Sequence, residues 1–393
     1  MQRLRNPNWL LTLLFIGMLG AVPLIQLLLE ARSDEGVVAF EIFSAAPTAA
    51  NLRAYEKKLE DASWLGRLSR PWVQLAEFAW LKYGGDKVVV GSQGWYFFKP
   101  GLNYMLARPD LAGAANATND PVTAIVDFRD QLAARGIHLI IMPVPNKDTI
   151  YPDRLTSRVK NFHTIMSPRT RDIMQRLRAA NIEVVDLFKE FSQAREHNSG
   201  NSETPLYLAQ DTHWSPAGID LAAKTVAHRL TELGWLHPGQ IDYSERPAPV
   251  QRTGDILRML QTPGIEHLVP PENVPTIQVI RDTSQLYKDE PNSDIVILGD
   301  SFMRIYQEDQ PTAAGFIAHL AKELKQPILS LVNDGGGSTL VREELCGRIA
   351  FLRNKKVLLW EFVERDIGIG IKGWQRTPLP PDPAKSAASA RQN

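Results

Sequence analysis

A serine, a histidine and an aspartate are the residues whose types and spacing could do chemistry in this chain. Ser301 closes the run Ile295-Val-Ile-Leu-Gly-Asp-Ser, directly after an apolar stretch that ends in Gly299. A serine hydroxyl is a poor nucleophile at neutral pH unless a neighbouring base takes its proton. Of the eight histidines, His213 has the right company: it lies in Gln210-Asp-Thr-His-Trp-Ser215, two residues after Asp211 and just ahead of a helix start. In extended backbone, residues two apart face the same side. Asp211 can therefore accept from one imidazole nitrogen while the other faces Ser301. Such a set attacks acyl carbons. The bland use of a Gly-Asp-Ser string is a helix cap or turn. A metal reading of Asp211 and His213 lacks a third ligand at recognisable spacing. His138, His228 and His319 fall inside strand or helix patterns, whereas His163, His197, His237 and His267 lie in loops without a matching carboxylate.

Presenting Ser301 requires a parallel sheet, because ligands bind beyond the carboxyl ends of its strands. From Pro121 the pattern alternates accordingly: helix 122–135, strand 137–144, helix 168–180, strand 182–187 and helix 216–233. The last is marked by Ser215 as N-cap, Pro216 at the first turn and Gly234 at the end. Residues 238–291 are proline-rich, weakly periodic and read as an irregular insertion. Alternation resumes with strand 294–298, helix 312–324, strand 327–332, helix 338–354 and strand 356–362. Strands this apolar are buried on both faces, so the fold class is α/β, a flavodoxin-like parallel sheet between helical layers. Asn333-Asp-Gly-Gly-Gly337 follows a strand and offers backbone N–H groups for an oxyanion hole, or serves as a plain turn. Arg304, Tyr306, Asn333 and Arg365 are candidate supporting residues.

Ahead of this domain, residues 9–29 carry no charge, long enough to span a bilayer as a helix. Arg3 and Arg5 precede the run and Glu30, Arg32, Asp34 and Glu35 follow it. The positive-inside rule then keeps the tip cytoplasmic and exports the rest, and Leu27 to Ala31 makes a poor cleavage site. The expected organisation is a membrane anchor at 1–33, a helical lead-in with a β-hairpin at 34–115, the main domain at 116–376 and a disordered tail at 377–393. A flexible link falls at 112–119. Charge balances at 44 against 44, which gives no nucleic-acid footprint. Cys346 is the single cysteine, excluding an intrachain disulfide or a multi-cysteine metal site, and it reads as a small buried hydrophobe. There is no Walker A sequence and no G-x-G-x-x-G in strand context, so no cofactor is expected.

Four segments together resemble the alginate O-acetyltransferase family of the AlgJ and AlgX type, in the SGNH-hydrolase superfamily. They are Val88-Val-Val-Gly-Ser-Gln-Gly-Trp95, Met142-Pro-Val-Pro-Asn-Lys147 with Tyr151-Pro152, Asp211-Thr-His-Trp214 and Gly299-Asp-Ser301. Glu361-Phe-Val-Glu-Arg365 is similar to the family's closing motif. The resemblance implies Ser301 as nucleophile, His213 as general base and acid, and Asp211 as orienter. It also implies acetyl transfer to a polysaccharide acceptor, with acetyl groups supplied by a membrane acyltransferase, in the periplasm of a bacterium whose inner membrane holds the anchor. Trp95, Tyr96 and Trp214 are then candidate sugar-stacking surfaces. Two alternatives stay open: an O-acetylesterase on the same triad, and a non-catalytic subunit of an exopolysaccharide secretion complex.

Overall fold

A computed structural model describes residues 7–32, 36–107, 119–159, 164–198, 204–281 and 285–381. Arg3, Arg5, the expected link at 112–118 and residues 382–393 of the expected tail lie outside the described residues. The chain divides into two compact units, residues 1–83 with 261–265, and residues 84–260 with 266–393.

The first unit is helical. Helix α1 (Pro7–Glu30) contains the uncharged run, and Trp9–Glu30 has a mean hydropathy of 2.2, apolar and long enough to cross a membrane. Helix α2 (Ala49–Ala62) starts at Thr48, whose hydroxyl accepts from Asn51 N, and α3 (Trp64–Ala76) starts at Ser63, which accepts from Gly66 N. Gln26 ties them to α1, accepting from Trp64 N and donating to Ala62 O. No residue of α2 or α3 is buried, and Leu68 and Trp72 are exposed. Leu65, Leu68, Trp72 and Leu75 recur on α3 at helical spacing and mark an amphipathic face.

The second unit begins with the hairpin β1 (Val88–Val90) and β2 (Tyr96–Phe98), which groups with the sheet and not with the helical lead-in. Strands β3 (His138–Val144) and β4 (Glu183–Val184) follow. The short β5 (Val250–Arg252) and β6 (Glu272–Val274) pair antiparallel within the segment expected to be irregular. Strands β7 (Ile295–Gly299), β8 (Leu329–Val332) and β9 (Val357–Val363) complete the main sheet, which is all parallel in the order β8-β7-β9-β3-β4.

Strand alternation divides the core in two. Ile140, Met142, Ile295, Ile297, Val357 and Leu359 face α6 (Leu187–Asn198), α7 (Pro216–Glu232) and α9 (Phe316–Leu324). Leu139, Ile141, Val296, Leu298, Leu358 and Trp360 face α4 (Pro121–Ala133), α5 (Pro168–Ala179) and α10 (Leu340–Gly347). Removing both faces from water is the main stabilising term, roughly 1.5–3 kcal/mol for each large apolar side chain. Cys346, on α10, is only partly buried. The expected tail is packed at its start: Thr377 is buried and the Gln131 side chain accepts from Leu379 N, so proline content overstated disorder there.

Phe128 of α4 is fully buried and meets the Trp360 ring edge-on at 5.4 Å. Phe128→Ala is expected to destabilise this unit by about 3–5 kcal/mol, read from urea unfolding, since the surrounding side chains cannot collapse into the space.

Candidate active site

Ser301 follows β7 and opens a helical turn, Ser301–Arg304. Asp300 caps that turn, its carboxylate accepting from Phe302 N at 2.9 Å, while its own N–H donates to Glu361 on β9 at 2.9 Å. A Cβ at position 299 would stand 2.2 Å from Met303 Cγ and 2.7 Å from Glu361 Oε2, so only glycine lets the strand turn this sharply. The tightness aims the partly exposed Ser301 hydroxyl out of the sheet.

His213 reaches the same point from the segment before α7. Its Nδ1–H donates to Asp211 Oδ1 at 2.6 Å, which leaves Nε2 to accept from Ser301 Oγ at 2.9 Å. The backbone carrying this pair is held on both sides. Lys147, buried after β3, donates through Nζ to the carbonyls of Tyr96, Ala209 and Asp211 at 2.6–2.9 Å. From β6, Glu272 accepts from Ala209 N and Gln210 N at 2.9 and 2.8 Å. Gly254 packs so closely on Gln210 that a Cβ there would lie 1.9 Å from its carbonyl oxygen.

Asp211 is fully buried. Its Oδ2 accepts from Arg252 Nε at 2.9 Å and from Asp255 N at 3.1 Å. Burial alone would raise its pKa; the charge and hydrogen bond of His213, with Arg252, outweigh that and hold the carboxyl well below the ordinary range. For His213 burial disfavours the imidazolium, but Asp211 foremost, with Asp255 and Asp300, lifts the pKa above its ordinary value. The arrangement can stabilise a protonated His213, the state that would follow removal of the Ser301 proton.

Asp255, which opens α8 (Asp255–Met259), sits beside this pair, accepting from Thr212 N at 2.7 Å and Thr212 Oγ1 at 2.6 Å, with Oδ2 3.7 Å from His213 Nδ1. It supplies the third ligand type that the sequence spacing lacked: one atom each of Asp211, His213 and Asp255 lie within 4.8 Å of one another. These atoms are already committed. Asp211 balances Arg252, and His213 bonds Asp211 on one nitrogen and Ser301 on the other, which favours proton relay over metal binding.

The remaining candidates divide. Arg304 Nε donates to both carboxylate oxygens of Asp334 at 2.8 and 2.9 Å, and Arg304 also pairs with Asp309, which lies 3.5 Å from Arg252. Tyr306 is buried beneath the Arg252 guanidinium, 5.5 Å from its ring centroid. Asn333 donates to Glu344 at 3.0 Å and braces the glycine turn against β7 through its N–H to Gly299 O. Arg365 lies over the Phe98 ring at 5.3 Å. Trp214 requires correction as a substrate contact. It is fully buried, edge-on to Phe302 and stacked on Phe316, because it faces opposite to His213 on extended backbone. Trp95 and Tyr96 are core residues too, Trp95 lying 4.5 Å from the Tyr151 ring. Sequence reasoning missed Arg252, Asp255 and Glu272, all in the expected irregular insertion, where only Gly254 hinted at close packing.

A family profile described as the SGNH hydrolase-like domain of acetyltransferase AlgX matches residues 88–364. The chain belongs to this family. Among its relatives are proteins described as probable alginate O-acetylase AlgJ. The one from Pseudomonas fluorescens is 26% identical over 336 residues, covering 82% of this chain and 78% of that protein. The one from Pseudomonas aeruginosa is 24% identical over 314 residues, covering 75% and 73%. A solved structure of the O-acetyltransferase domain of Pseudomonas putida AlgJ superposes with a TM-score of 0.58 at 21% identity, covering 78% of this chain and 99% of that one. The fold is thus SGNH-like α/β.

For an SGNH-like site of this geometry, His213 must be neutral to accept a proton, so Ser301 reactivity should fall as pH drops through the raised His213 pKa. Labelling of Ser301 by a sulfonyl fluoride, followed by intact mass across pH, reads this. Asp211→Asn is expected to slow labelling about 10⁴-fold. It should also move the acid limb to lower pH, because the charge that raises the His213 pKa is gone. An unmoved limb would mean that Asp211 does not govern His213.

Proposed function

We propose that this chain is a membrane-anchored O-acetyltransferase that carries acetyl on Ser301 and delivers it to hydroxyls of an alginate-like polysaccharide. The relay Ser301 Oγ, His213 Nε2 and Nδ1, Asp211 Oδ1, with spacings of 2.9 and 2.6 Å, is the observation that carries this reading. Family membership and the AlgJ relatives supply the substrate class.

In the first half-reaction Ser301 Oγ attacks the donor's acetyl carbonyl as His213 Nε2 takes the hydroxyl proton. The tetrahedral adduct collapses, the donor's leaving oxygen or sulfur receives that proton from His213, and acetyl-Ser301 remains. In the second, His213 removes a proton from a sugar hydroxyl, whose oxygen attacks the acetyl carbon. Ser301 Oγ then leaves and is reprotonated by His213. Asp211 keeps its charge throughout and offsets that of the transient imidazolium.

Helix α1 is the proposed anchor, with Arg3 and Arg5 on the cytoplasmic side and the SGNH-like unit in the periplasm. Cytoplasmic acetyl-CoA does not reach a site there, so a membrane acyltransferase is the proposed acetyl source.

The test uses the full chain in detergent with a small activated acetyl ester, monitored by intact mass. An acetyl adduct is expected that vanishes in Ser301→Ala and is discharged faster by a mannuronate oligosaccharide than by water. Discharge by water alone would make the protein an esterase. No adduct from a folded chain would favour the assembly-subunit reading.

A further inference from the structure

In the first unit, the turn between α2 and α3 is bound to one end of α1. Trp64 N donates to Gln26 Oε1 at 2.8 Å, Trp64 Nε1 donates to Val22 O at 3.2 Å, and Gln26 Nε2 donates to Ala62 O at 3.0 Å. A second tie comes before α2. Val38 N donates to Glu30 Oε2 at 3.0 Å, which fixes the short helical segment Val38–Phe43 to the last residue of α1. The apolar run Trp9–Glu30 has 22 residues, about 33 Å of helix against a hydrocarbon core of about 30 Å. Trp64 and Val38–Phe43 therefore stand where such a helix leaves the core.

From that point α3 carries two unlike faces. At 3.6 residues per turn, Trp64, Leu65, Leu68, Trp72, Leu75 and Ala76 fall within about 120° of the helix circumference. Arg67, Arg70 and Gln74 fall outside that stripe, and of the large apolar residues only Val73 joins them. The middle of the stripe is open: Leu68 is 62% and Trp72 69% exposed. The helical turn that follows, Glu77–Leu81, exposes Trp80 and Leu81 more fully still, and Phe40 and Phe43 are exposed on the segment tied to Glu30. Water is a poor neighbour for so many large apolar side chains in one small unit.

Three features select a lipid surface as the cover. The stripe is continuous in structure with the end of a helix apolar enough to cross a membrane, through the bonds of Trp64 to Val22 and Gln26. Tryptophan is the side chain that favours the level of the headgroups, and Trp64, Trp72 and Trp80 recur at eight-residue spacing. Charge agrees as well. Helix α3 carries Arg67 and Arg70 and no acidic residue, the pattern of a helix that lies among phosphates, although Arg70 also reaches the exposed Glu60 at 2.9 Å.

We propose that α3 lies in the headgroup layer of the membrane that α1 spans, with Leu65, Leu68 and Trp72 in the acyl boundary and Arg67 and Arg70 toward the lipid phosphates. This placement rests on the anchor reading of α1. It gives the chain a second attachment to the bilayer, one that orients the first unit on the surface.

The test uses the full chain carrying Cys346→Ser, reconstituted in nanodiscs of phosphatidylethanolamine and phosphatidylglycerol. A nitroxide is attached at Leu68→Cys, Trp72→Cys or Gln74→Cys, or within the span at Leu19→Cys. Its collisions with oxygen and with a water-soluble nickel chelate are read by power-saturation EPR. Labels at 68 and 72 are expected about 5–10 Å into the headgroup boundary and to favour oxygen, whereas the label at 74 favours nickel. The label at 19 should read near the bilayer centre, about 15 Å down. Nickel access at 68 and 72 with 19 deep would overturn the placement, keep the anchor and leave the α3 face to a protein partner. Nickel access at 19 would remove the anchor; immersion of 68 and 72 would then still show α3 bound to the surface by itself. An unlabelled chain guards against a label that disturbs the helix. Trp72→Phe should lose part of the tryptophan quenching by lipids brominated near the headgroup end of the acyl chain, and quenching equal to that of the unsubstituted chain would also overturn the placement.

Discussion

A carboxylate charge kept fully buried at Asp211 is the constraint on which the rest of the site depends. Removing such a charge from water costs several kcal/mol unless its lone pairs are met. Four donors meet them: Nδ1–H and backbone N–H of His213 on Oδ1, Arg252 Nε and Asp255 N–H on Oδ2. Arg252 is then a nearly buried cation with its own demand. A chain of alternating charge runs outward from it through Asp309 and Arg304 to Asp334. Side-chain exposure climbs along that chain from 0% at Asp211 through 14%, 25% and 30% to 56%. Solvent screening takes over from the protein by degrees, so no member carries the whole burden of the buried charge.

Beneath Ser301 the problem is inverted. Asp300 and Glu361 are both buried acids, and two carboxylates in contact cannot both ionise cheaply. Burial and then the charge of Asp300 drive the Glu361 pKa well above its ordinary value, which favours its neutral form, while its Oε2 accepts from Asp300 N–H. The consequence reaches the chemistry. On the proposed mechanism a second negative charge here would oppose the oxyanion formed by attack of Ser301 on a carbonyl, whereas a neutral Glu361 would shape the turn at no such cost.

How much of this was legible in the sequence follows from how local each feature is. Strand β7 and helix α7 declare themselves by an apolar run and by the Ser215-Pro216 start. Asp211 and His213 are two residues apart, and their pairing follows from strand alternation. The same alternation turns Trp214 the other way, into the core, a consequence its polar neighbours and its tryptophan chemistry disguised. Arg252, Asp255 and Glu272 are another matter. They act on residues some forty to sixty positions earlier, from strands of three residues and a helix of five, too short to show a period. Proline in that stretch reads as irregularity, yet the backbone there is held by the groups it clamps. On α3 the helical period is plain, yet none of its residues is buried, a face without a core.

The partly exposed hydroxyl of Ser301 poses the last question, since water reaches any acetyl group it carries. Excluding water is one way to favour transfer, but the proposed polymer acceptor would have to enter and leave, which argues against a sealed site. Orientation is the other. A sugar hydroxyl held in attacking geometry acts at an effective concentration of about 10⁵ M or more, against about 55 M for bulk water, an advantage on the order of 10³. Only a part of that is needed for transfer to dominate hydrolysis. On the proposed mechanism the balance between the two reactions is set by how the acceptor hydroxyl is held beside Ser301, and not by the triad, whose proton relay would serve either acceptor equally.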